Sequence, residues 1–185
     1  SNLKDLSDSD LIISAGNYLI LEKEFLEKNN VINFHAAPLP RYGGSAGPSF
    51  SLINNEKKYG FTYQKMITLL DAGPIIFQGN FDIGVDMTAF DLDKKAIEYG
   101  TKYLIKSIDI FFSKSNIFIP IEKDKLILNK RNALNTYRFI PFENLNKKKS
   151  IQIIKALTWP GVLEPAYTYL NNKKICLSYS NHKKK

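Results

Sequence analysis

A Pro- and Gly-rich segment, residues 36–44, constrains the fold of this chain most strongly. It reads Ala-Ala-Pro-Leu-Pro-Arg-Tyr-Gly-Gly. Proline lacks a backbone N–H and glycine is costly to order, so neither a helix nor a central strand suits this segment. It therefore predicts a fixed loop. The short apolar run Val31-Ile32 leads into Asn33 and His35, which lie two residues apart, so both side chains leave the same face of a strand.

A carboxylate follows at Asp71, on a Gly- and Pro-containing turn between two further apolar runs. Amide, imidazole and carboxylate side chains together can support acyl transfer. Each residue taken alone also has a structural explanation: an Asn at a strand end satisfies backbone groups, a His there is often only hydrogen-bonded, and Asp before glycine forms turns. The combination of all three favours catalysis.

Two motifs carry these residues: Asn-x-His-x-x-x-Leu-Pro from Asn33, followed by Gly44, and Asp-x-Gly-x-Ile from Asp71. Their order and spacing resemble those of the folate-dependent formyltransferases. The resemblance implies 10-formyltetrahydrofolate as the formyl donor and a primary amine as the acceptor. One departure is Gly43, where the family usually carries Arg or Lys, so a charged contact from this position is in doubt.

The resemblance also implies catalytic roles. Asn33 would donate to the oxygen of the tetrahedral intermediate. His35 would either accept the proton of the attacking amine or, when charged, support that oxygen. Asp71 would hold the imidazole ring and stabilise its charged form.

A pterin pocket is implied by the same resemblance. Its lining residues would be Tyr18, Leu19, Leu21, Leu69 and Leu70. The alternative is that these loop residues simply fill a core. No metal site is expected, because His182, in the basic tail, has no second His or Cys nearby.

The periodicity of apolar residues predicts an α/β fold. A buried strand at Leu11–Ser14, a helix at Leu21–Lys28 and the strand at Val31 form one βαβ unit. Residues 60–67 and 75–83 predict two more strands. A long helix is expected from Thr88, and the residues expected to line its sheet-facing side are Phe90, Ile97, Leu104, Ile108 and Phe111.

The fold class is therefore α/β: a partial, Rossmann-like and mostly parallel sheet with flanking helices, plus a small C-terminal helix and β-hairpin. The helix is predicted at Ser150–Leu157, and Asn171-Asn172 predicts the hairpin turn. The predicted divisions are a catalytic core at 1–114, a connection at 115–149, the helix and hairpin at 150–180 and a disordered tail at 181–185. The family's opening βαβ units are missing, and Ser1 is not expected to be the natural start.

The net charge of +8 comes almost entirely from lysine, because arginine occurs only at Arg41, Arg131 and Arg138. Arginine is the residue that most often contacts phosphates and bases in nucleic-acid complexes. Because the chain has only three arginines, a nucleic-acid partner is not expected. Apolar runs are too short for a membrane span. Cys176 is the single cysteine, which excludes an internal disulfide and predicts a cytoplasmic protein.

Chain length separates the subfamilies. Roughly seventy residues follow the long helix, too many for a glycinamide ribonucleotide formyltransferase, whereas one helix and one hairpin cannot supply the β-barrel of methionyl-tRNA formyltransferases. Sugar N-formyltransferases often end in a short helix and hairpin like residues 150–179, so the resemblance implies a nucleotide-linked, dTDP-type amino-dideoxy sugar as the acceptor. The alternatives are another amine or a non-catalytic binding remnant. A homodimer through the apolar hairpin is expected, although the hairpin can equally dock on its own chain.

Overall fold

The computed structural model describes residues 6, 9–17, 21–114 and 117–180. Tyr18, Leu19 and the tail 181–185 with His182 lie outside the described residues. The strands are β1 (Ile12–Ala15), β2 (Val31–His35), β3 (Gly43–Gly44), β4 (Lys58–Lys65), β5 (Ile75–Asp82), β6 (Leu128–Asn129), β7 (Ala166–Leu170) and β8 (Lys173–Leu177). The α-helices are α1 (Lys23–Lys28), α2 (Gly47–Ile53), α3 (Ala89–Lys102), α4 (Leu104–Phe112) and α5 (Lys148–Leu157). Short 3₁₀ turns lie between α4 and α5.

The main sheet has the order β1-β2-β4-β5. Strands β1 and β2 pair in parallel, whereas β4 pairs antiparallel with both β2 and β5. The α/β class with a C-terminal helix and hairpin is confirmed, but within the main sheet the parallel pairing is that of β1 with β2, in the βαβ unit. A crossover between parallel strands needs a dozen or more residues. The connection between β4 and β5, residues 66–74, is shorter than that, so these strands form a hairpin.

Strand β1 is less buried than its apolar sequence predicts. Ser14 is buried, whereas Ile13 is 39% exposed. Among the described residues β1 is an edge strand of the sheet. An edge position leaves part of a strand open to solvent, which an apolar run alone does not reveal.

Alternation along the strands gives the sheet two chemically different faces. Ile32, Phe61 and Tyr63 are buried on one face in a cluster with Phe111 of α4. The opposite face carries Asn33 and His35, which pair across the sheet with Gln64 and Thr62. The sequence therefore places the candidate catalytic residues on a polar face, away from the helices that cover the apolar one.

The long helix predicted from Thr88 is two helices, α3 and α4, which meet at Tyr103. Thr88 caps α3 through a reciprocal capping box with Asp91. The predicted buried face is wrong for α3, because Phe90 and Ile97 are 45% and 47% exposed. The residues of α3 that are buried are Ala89, Leu92, Ala96 and Gly100.

Close packing explains this reversal. A Cβ atom on Gly100 would lie 2.1 Å from the ring of Phe34, which requires the absence of a side chain at this position. Tyr63 adds a hydrogen bond from its hydroxyl to the carbonyl of Gly100, 2.9 Å. Small residues thus bring α3 close to the sheet, with Leu92 as the one large apolar side chain among its described buried residues, whereas Phe90 and Ile97 point away.

The C-terminal hairpin has the predicted turn, with φ of 49° and 60° at Asn171 and Asn172. Its apolar residues do not share one face, however. Ala166 and Thr168 are buried, and Ala166 joins a core cluster with Ala46, Leu134, Ile140 and Leu157. The alternate residues Tyr167 and Tyr169 form an outer aromatic group with Phe139. One face of the hairpin therefore docks on its own chain, and the domain boundaries drawn at 114/115 and 149/150 stay a prediction.

Asp93, a partly buried residue of α3, gives a stability prediction. Burial raises the pKa of its carboxyl above the ordinary value of 3.8. A raised folded-state pKa means that the charged form is disfavoured by folding, so stability is lost as pH rises through that pKa. We expect Asp93→Asn to raise Tm by roughly 1–2 °C at pH 7, with the difference vanishing near pH 3.

Thermal melting across this pH range checks the Asp93 prediction. The control is Asp109→Asn, which changes an exposed carboxylate on α4. A gain in Tm that is equally large at pH 3 would assign the effect to helix propensity instead of burial of charge.

None of the described helices is long and apolar enough to cross a membrane.

Candidate active site

His35 ends β2, where the strand gives way to the Pro-rich loop. Its Nε2 lies 2.8 Å from the backbone carbonyl oxygen of Tyr42. A carbonyl can only accept, so Nε2 carries the hydrogen and donates it. The other ring nitrogen, Nδ1, lies 3.8 Å from Oδ1 of Asp71. The exchangeable proton position of His35 is therefore Nδ1, on the side of the carboxylate.

Tyr42 is anchored by its side chain, which fixes the carbonyl that orients His35. The ring is 3% exposed. Its hydroxyl donates to Oε1 of Glu56 at 2.8 Å and accepts from the side-chain amide of Asn54 at 3.3 Å. Burial raises the pKa of Tyr42, so the hydroxyl keeps its proton as a donor. Arg41 forms an ion pair with the same Glu56.

Asp71 sits on the turn between β4 and β5 and is buried. Its φ of 51° lies in the left-handed region, which Asp tolerates better than most residues. Oδ2 accepts the backbone N–H of Gly44 at 2.7 Å, and Oδ1 accepts Nε2 of Gln64 at 3.1 Å. Both oxygens thus accept N–H donors, which suits an ionised carboxylate. At 3.8 Å its contact with His35 is electrostatic and not a direct hydrogen bond.

Asn33 lies on β2, two positions before His35, so both side chains are on the polar face of the sheet. Within the described residues its side-chain amide forms no hydrogen bond. Its neighbours across the sheet are Ser14 on β1 and Gln64 on β4. Because this amide has no partner among the described residues, it is available to donate to a ligand.

Gln64 is a site residue that the sequence analysis missed. It is 2% exposed, and its Oε1 has no hydrogen-bond partner among the described residues. An unpaired buried carbonyl costs about 1–3 kcal/mol. The available signal was the alternation of β4: Gln64 follows Thr62 by two positions, so two polar residues share one face of an otherwise apolar strand.

The loop 36–44 is fixed over the polar face by side chains of β4 and β5. The backbone N–H of Leu39 donates to Oγ1 of Thr62 at 3.1 Å, and Thr62 donates to the carbonyl of Ala37 at 2.8 Å. Gln78 donates to the carbonyl of Leu39 at 2.8 Å. Tyr59 donates to the carbonyl of Ala36 at 2.9 Å. The predicted fixed loop is therefore observed.

Gly43 and Gly44 form β3, a short strand that pairs in parallel with β6. A Cβ on Gly44 would lie 2.3 Å from the carbonyl oxygen of Asn129, so this approach needs glycine. The Gly44 N–H is already used by Asp71. The helix after it, α2, begins at Gly47 with Ala46 as N-cap and without a side-chain cap.

The residues assigned to the pterin pocket differ in exposure. Leu69 and Leu70 lie on the loop before Asp71 and are 44% and 60% exposed, so their side chains are open to a ligand. Leu21 is 6% exposed and contributes its side chain to packing. No group of three His, Cys, Asp or Glu side chains that could hold a metal ion occurs in the part of the chain that the structure describes.

Comparison with known proteins decides the family. Residues 2–108 match the formyl transferase family model. The chain belongs to the formyltransferase family. The resemblance drawn from Asn33, His35 and Asp71 is thereby confirmed at the level of the family.

The individual relatives and structural neighbours carry the names of two kinds of formyltransferase. A methionyl-tRNA formyltransferase of Clostridium tetani is 35% identical over 177 residues, which are 90% of this chain and 53% of that protein. A sugar N-formyltransferase from a Shewanella species has a TM-score of 0.76 at 21% identity, covering 96% of this chain and 72% of that structure.

The N-formyltransferase of Helicobacter canadensis, solved with folinic acid and dTDP-3-aminofucose, has a TM-score of 0.74 at 23% identity. Its match covers 95% of this chain and 64% of that structure. The chain spans about half or less of the length of the curated relatives it matches.

Proposed function

We propose that this chain transfers a formyl group from 10-formyltetrahydrofolate to the amino group of a dTDP-linked amino-dideoxy sugar. The observation that carries the proposal is that Asn33 and His35 share the polar face of the sheet and that Asp71, on the turn between β4 and β5, lies beside His35 within a formyltransferase fold. When bound, the folate supplies the formyl group. The sugar nitrogen would attack the formyl carbon and lose a proton, and the C–N bond to the folate would then break with a proton delivered to the folate nitrogen that leaves.

The residues divide this chemistry between them. Asn33 donates from its unpaired amide to the formyl oxygen as it gains negative charge. His35 takes up the amine proton at Nδ1, because Nε2 is occupied by the Tyr42 carbonyl. The proton then faces the Asp71 carboxylate at 3.8 Å, which stabilises the charged ring.

The folate is proposed to bind against the loop before Asp71. Leu69 and Leu70 are exposed and apolar. They fit one wall of a pterin site, as part of the proposed set Tyr18, Leu19, Leu21, Leu69 and Leu70. A pocket of this kind combines apolar walls with a few polar groups, here those of the neighbouring polar face.

A basic groove supports a phosphate-bearing acceptor. The groove has a volume of about 330 Å³, and Arg131, Arg138 and Glu164 are among its lining residues. The backbone N–H of Arg131 donates to Oγ of Ser45 at 2.9 Å, next to the Gly44 contact with Asp71. Guanidinium groups suit the diphosphate of a nucleotide sugar, but Arg138 forms an ion pair with Glu164, so a bound diphosphate would have to displace that carboxylate. Arg131 connects the groove to the loop of the candidate site through its contact with Ser45.

A second candidate acceptor is methionyl-tRNA, because the Clostridium tetani relative carries that name. The net charge of +8 is compatible with RNA. Glycinamide ribonucleotide and a non-catalytic binding remnant are the remaining alternatives. A cytoplasmic location stays a prediction that rests on the single Cys176.

One assay separates these acceptors. Purified chain is incubated with 10-formyltetrahydrofolate and, separately, a panel of dTDP-amino sugars, methionyl-tRNA and glycinamide ribonucleotide, and loss of the donor is followed. We expect turnover with one dTDP-amino sugar. Turnover with methionyl-tRNA alone would overturn the acceptor, and folate binding without turnover on any amine would indicate the non-catalytic remnant.

A homodimer through the C-terminal segment is also proposed. The outer hairpin face leaves Phe139 and Tyr169 51% and 50% exposed, close to Tyr167. Exposed aromatic groups of this kind are typical of protein interfaces. A two-fold interface would bring the same patch of both copies together.

Sedimentation at micromolar concentration tests the dimer. We expect twice the chain mass of 21.1 kDa, and monomers for Tyr169→Glu, because a buried charge without a partner opposes association. The matched control, Phe112→Glu, changes an aromatic residue of α4 that is 52% exposed and should stay dimeric. A monomeric wild type would contradict the dimer.

A further inference from the structure

Gln64 is a buried polar residue of β4 whose side chain contacts the candidate triad. Its Nε2 donates at 3.1 Å to Oδ1 of Asp71, the same oxygen that faces Nδ1 of His35. We propose that Gln64 is a positioning residue for formyl transfer, holding the charged Asp71 carboxylate in the orientation that serves His35. The inference rests on the proposed function for its kinetic consequence, whereas the contact itself can be tested without it.

The free-energy cost of burying the unpaired Oε1 of Gln64 supports the assignment. The residues of β4 from Tyr59 to Gln64 are buried without interruption. The Oε1 of Gln64 has no partner among the described residues. An apolar side chain at position 64 would avoid the cost of that unpaired oxygen, but it would also remove the donor to Oδ1 of Asp71. Natural chains break local rules of this kind mainly where function requires it. We therefore assign the function of this side chain to its Nε2, which donates to Asp71.

The geometry shows why a side-chain donor is needed. Asp71 has two donors, and the Gly44 N–H is a backbone group fixed by the pairing of β3 with β6. One donor on Oδ2 leaves the carboxylate free to rotate about its bond to Cβ. The second donor, Gln64 on Oδ1, removes that rotation. The distance from Oδ1 to His35 Nδ1 is thereby fixed before any ligand binds.

Kinetics of three variants tests this role. Gln64→Met keeps the length of the side chain and removes the donor. We expect kcat to fall ~10-fold with KM within about twofold, because the interaction serves the reaction and not binding. Gln64→His, whose ring N–H can donate to Asp71, should recover part of that loss. Unchanged kcat in Gln64→Met would overturn the proposal.

Gln64→Glu supplies a pH signature that a purely structural role would not give. A second carboxylate beside Asp71 repels it when both are charged, whereas a protonated glutamic acid can donate in place of the amide. Activity relative to wild type should therefore rise as pH falls from 8 to 5. A ratio that stays constant with pH would contradict the role.

A control and a reaction-independent measurement complete the test. Gln152→Met removes an amide of the same kind from α5, where it donates to the carbonyl of Leu52, and should leave the pH dependence unchanged. A double-variant cycle of Gln64→Met and Asp71→Ala, each of which removes the contact between the two side chains, is followed by thermal melting and needs no formyl transfer. Non-additive changes in Tm are expected, and additive changes would overturn the contact. An inactive wild type with non-additive melting would refute only the proposed function.

Discussion

Replacing His35 with Ala should lower kcat by at least about 10²-fold while leaving the fold intact. The ring is the only described group placed to take up the amine proton beside Asp71. It is largely hidden but belongs to the polar face and not to the apolar cluster of the sheet, so its removal leaves no unfilled apolar core. Asn33→Ala should have a similar effect, because it removes the donor to the developing negative charge.

The two variants should not be additive. Groups that act in one step lose most of the rate when either is removed, so the double variant should be scarcely slower than the single ones. Initial rates at saturating donor and acceptor measure this, with thermal melting as the check on folding. His182→Ala changes the only other histidine of the chain and serves as the control. Near-normal turnover in a folded His35→Ala protein would remove His35 from the reaction.

Local patterns were sufficient where one segment determines its own structure. The turn at Asn171-Asn172 is an example, because a two-residue hairpin turn needs positive φ at both positions and asparagine adopts it readily. Thr88 and Asp91 likewise fix the start of α3 through contacts three residues apart. The strand at Val31–His35 also followed from its sequence, and with it the shared face of Asn33 and His35.

Long-range packing could not be predicted in the same way. The pairing of Gly44 with Asn129 joins residues far apart in the chain, and nothing in the sequence near Gly43-Gly44 distinguishes it from a tight turn. The exposed position of Phe90 follows from the fit of the Phe34 ring against Gly100, which periodicity does not detect. A rule that places every bulky apolar residue inside fails where a helix packs closely through residues such as Ala96 and Gly100.

In the candidate site, too, local features could be predicted from the sequence and long-range contacts could not. Asp71 was recognisable from its turn motif, but its partners come from a backbone N–H on β3 and an amide on β4. The orientation of His35 depends on the Tyr42 carbonyl, which any residue at that position would supply. Every residue except proline has the same backbone N–H and C=O groups, so these contacts cannot be predicted from residue type. Of the partners of Asp71, only Gln64 could have been found from the sequence, as a polar residue on the same face of β4 as Thr62.

Asp71→Asn should lower kcat by about 10²-fold and keep the structure, and the contacts of Asp71 explain both results. Asparagine tolerates the φ of 51° at this turn. Its Oδ1 can accept the Gly44 N–H, and its Nδ2 then faces Gln64, whose amide can turn to offer Oε1. Both hydrogen bonds survive, so Tm should change little, whereas Asp71→Ala leaves two buried donors without partners and should melt lower.

Because the hydrogen bonds are kept, the loss of rate in Asp71→Asn measures the effect of removing the negative charge of the carboxylate. Protonated His35 loses the counter-charge that lies 3.8 Å from Nδ1, so the transition state in which the ring gains a proton is disfavoured. The effect should appear in kcat more than in KM and should alter the pH dependence of kcat, because only the protonated ring interacts with the carboxylate. A pH–rate profile identical to that of wild type would show that the carboxylate holds the turn at β4–β5 without acting on His35.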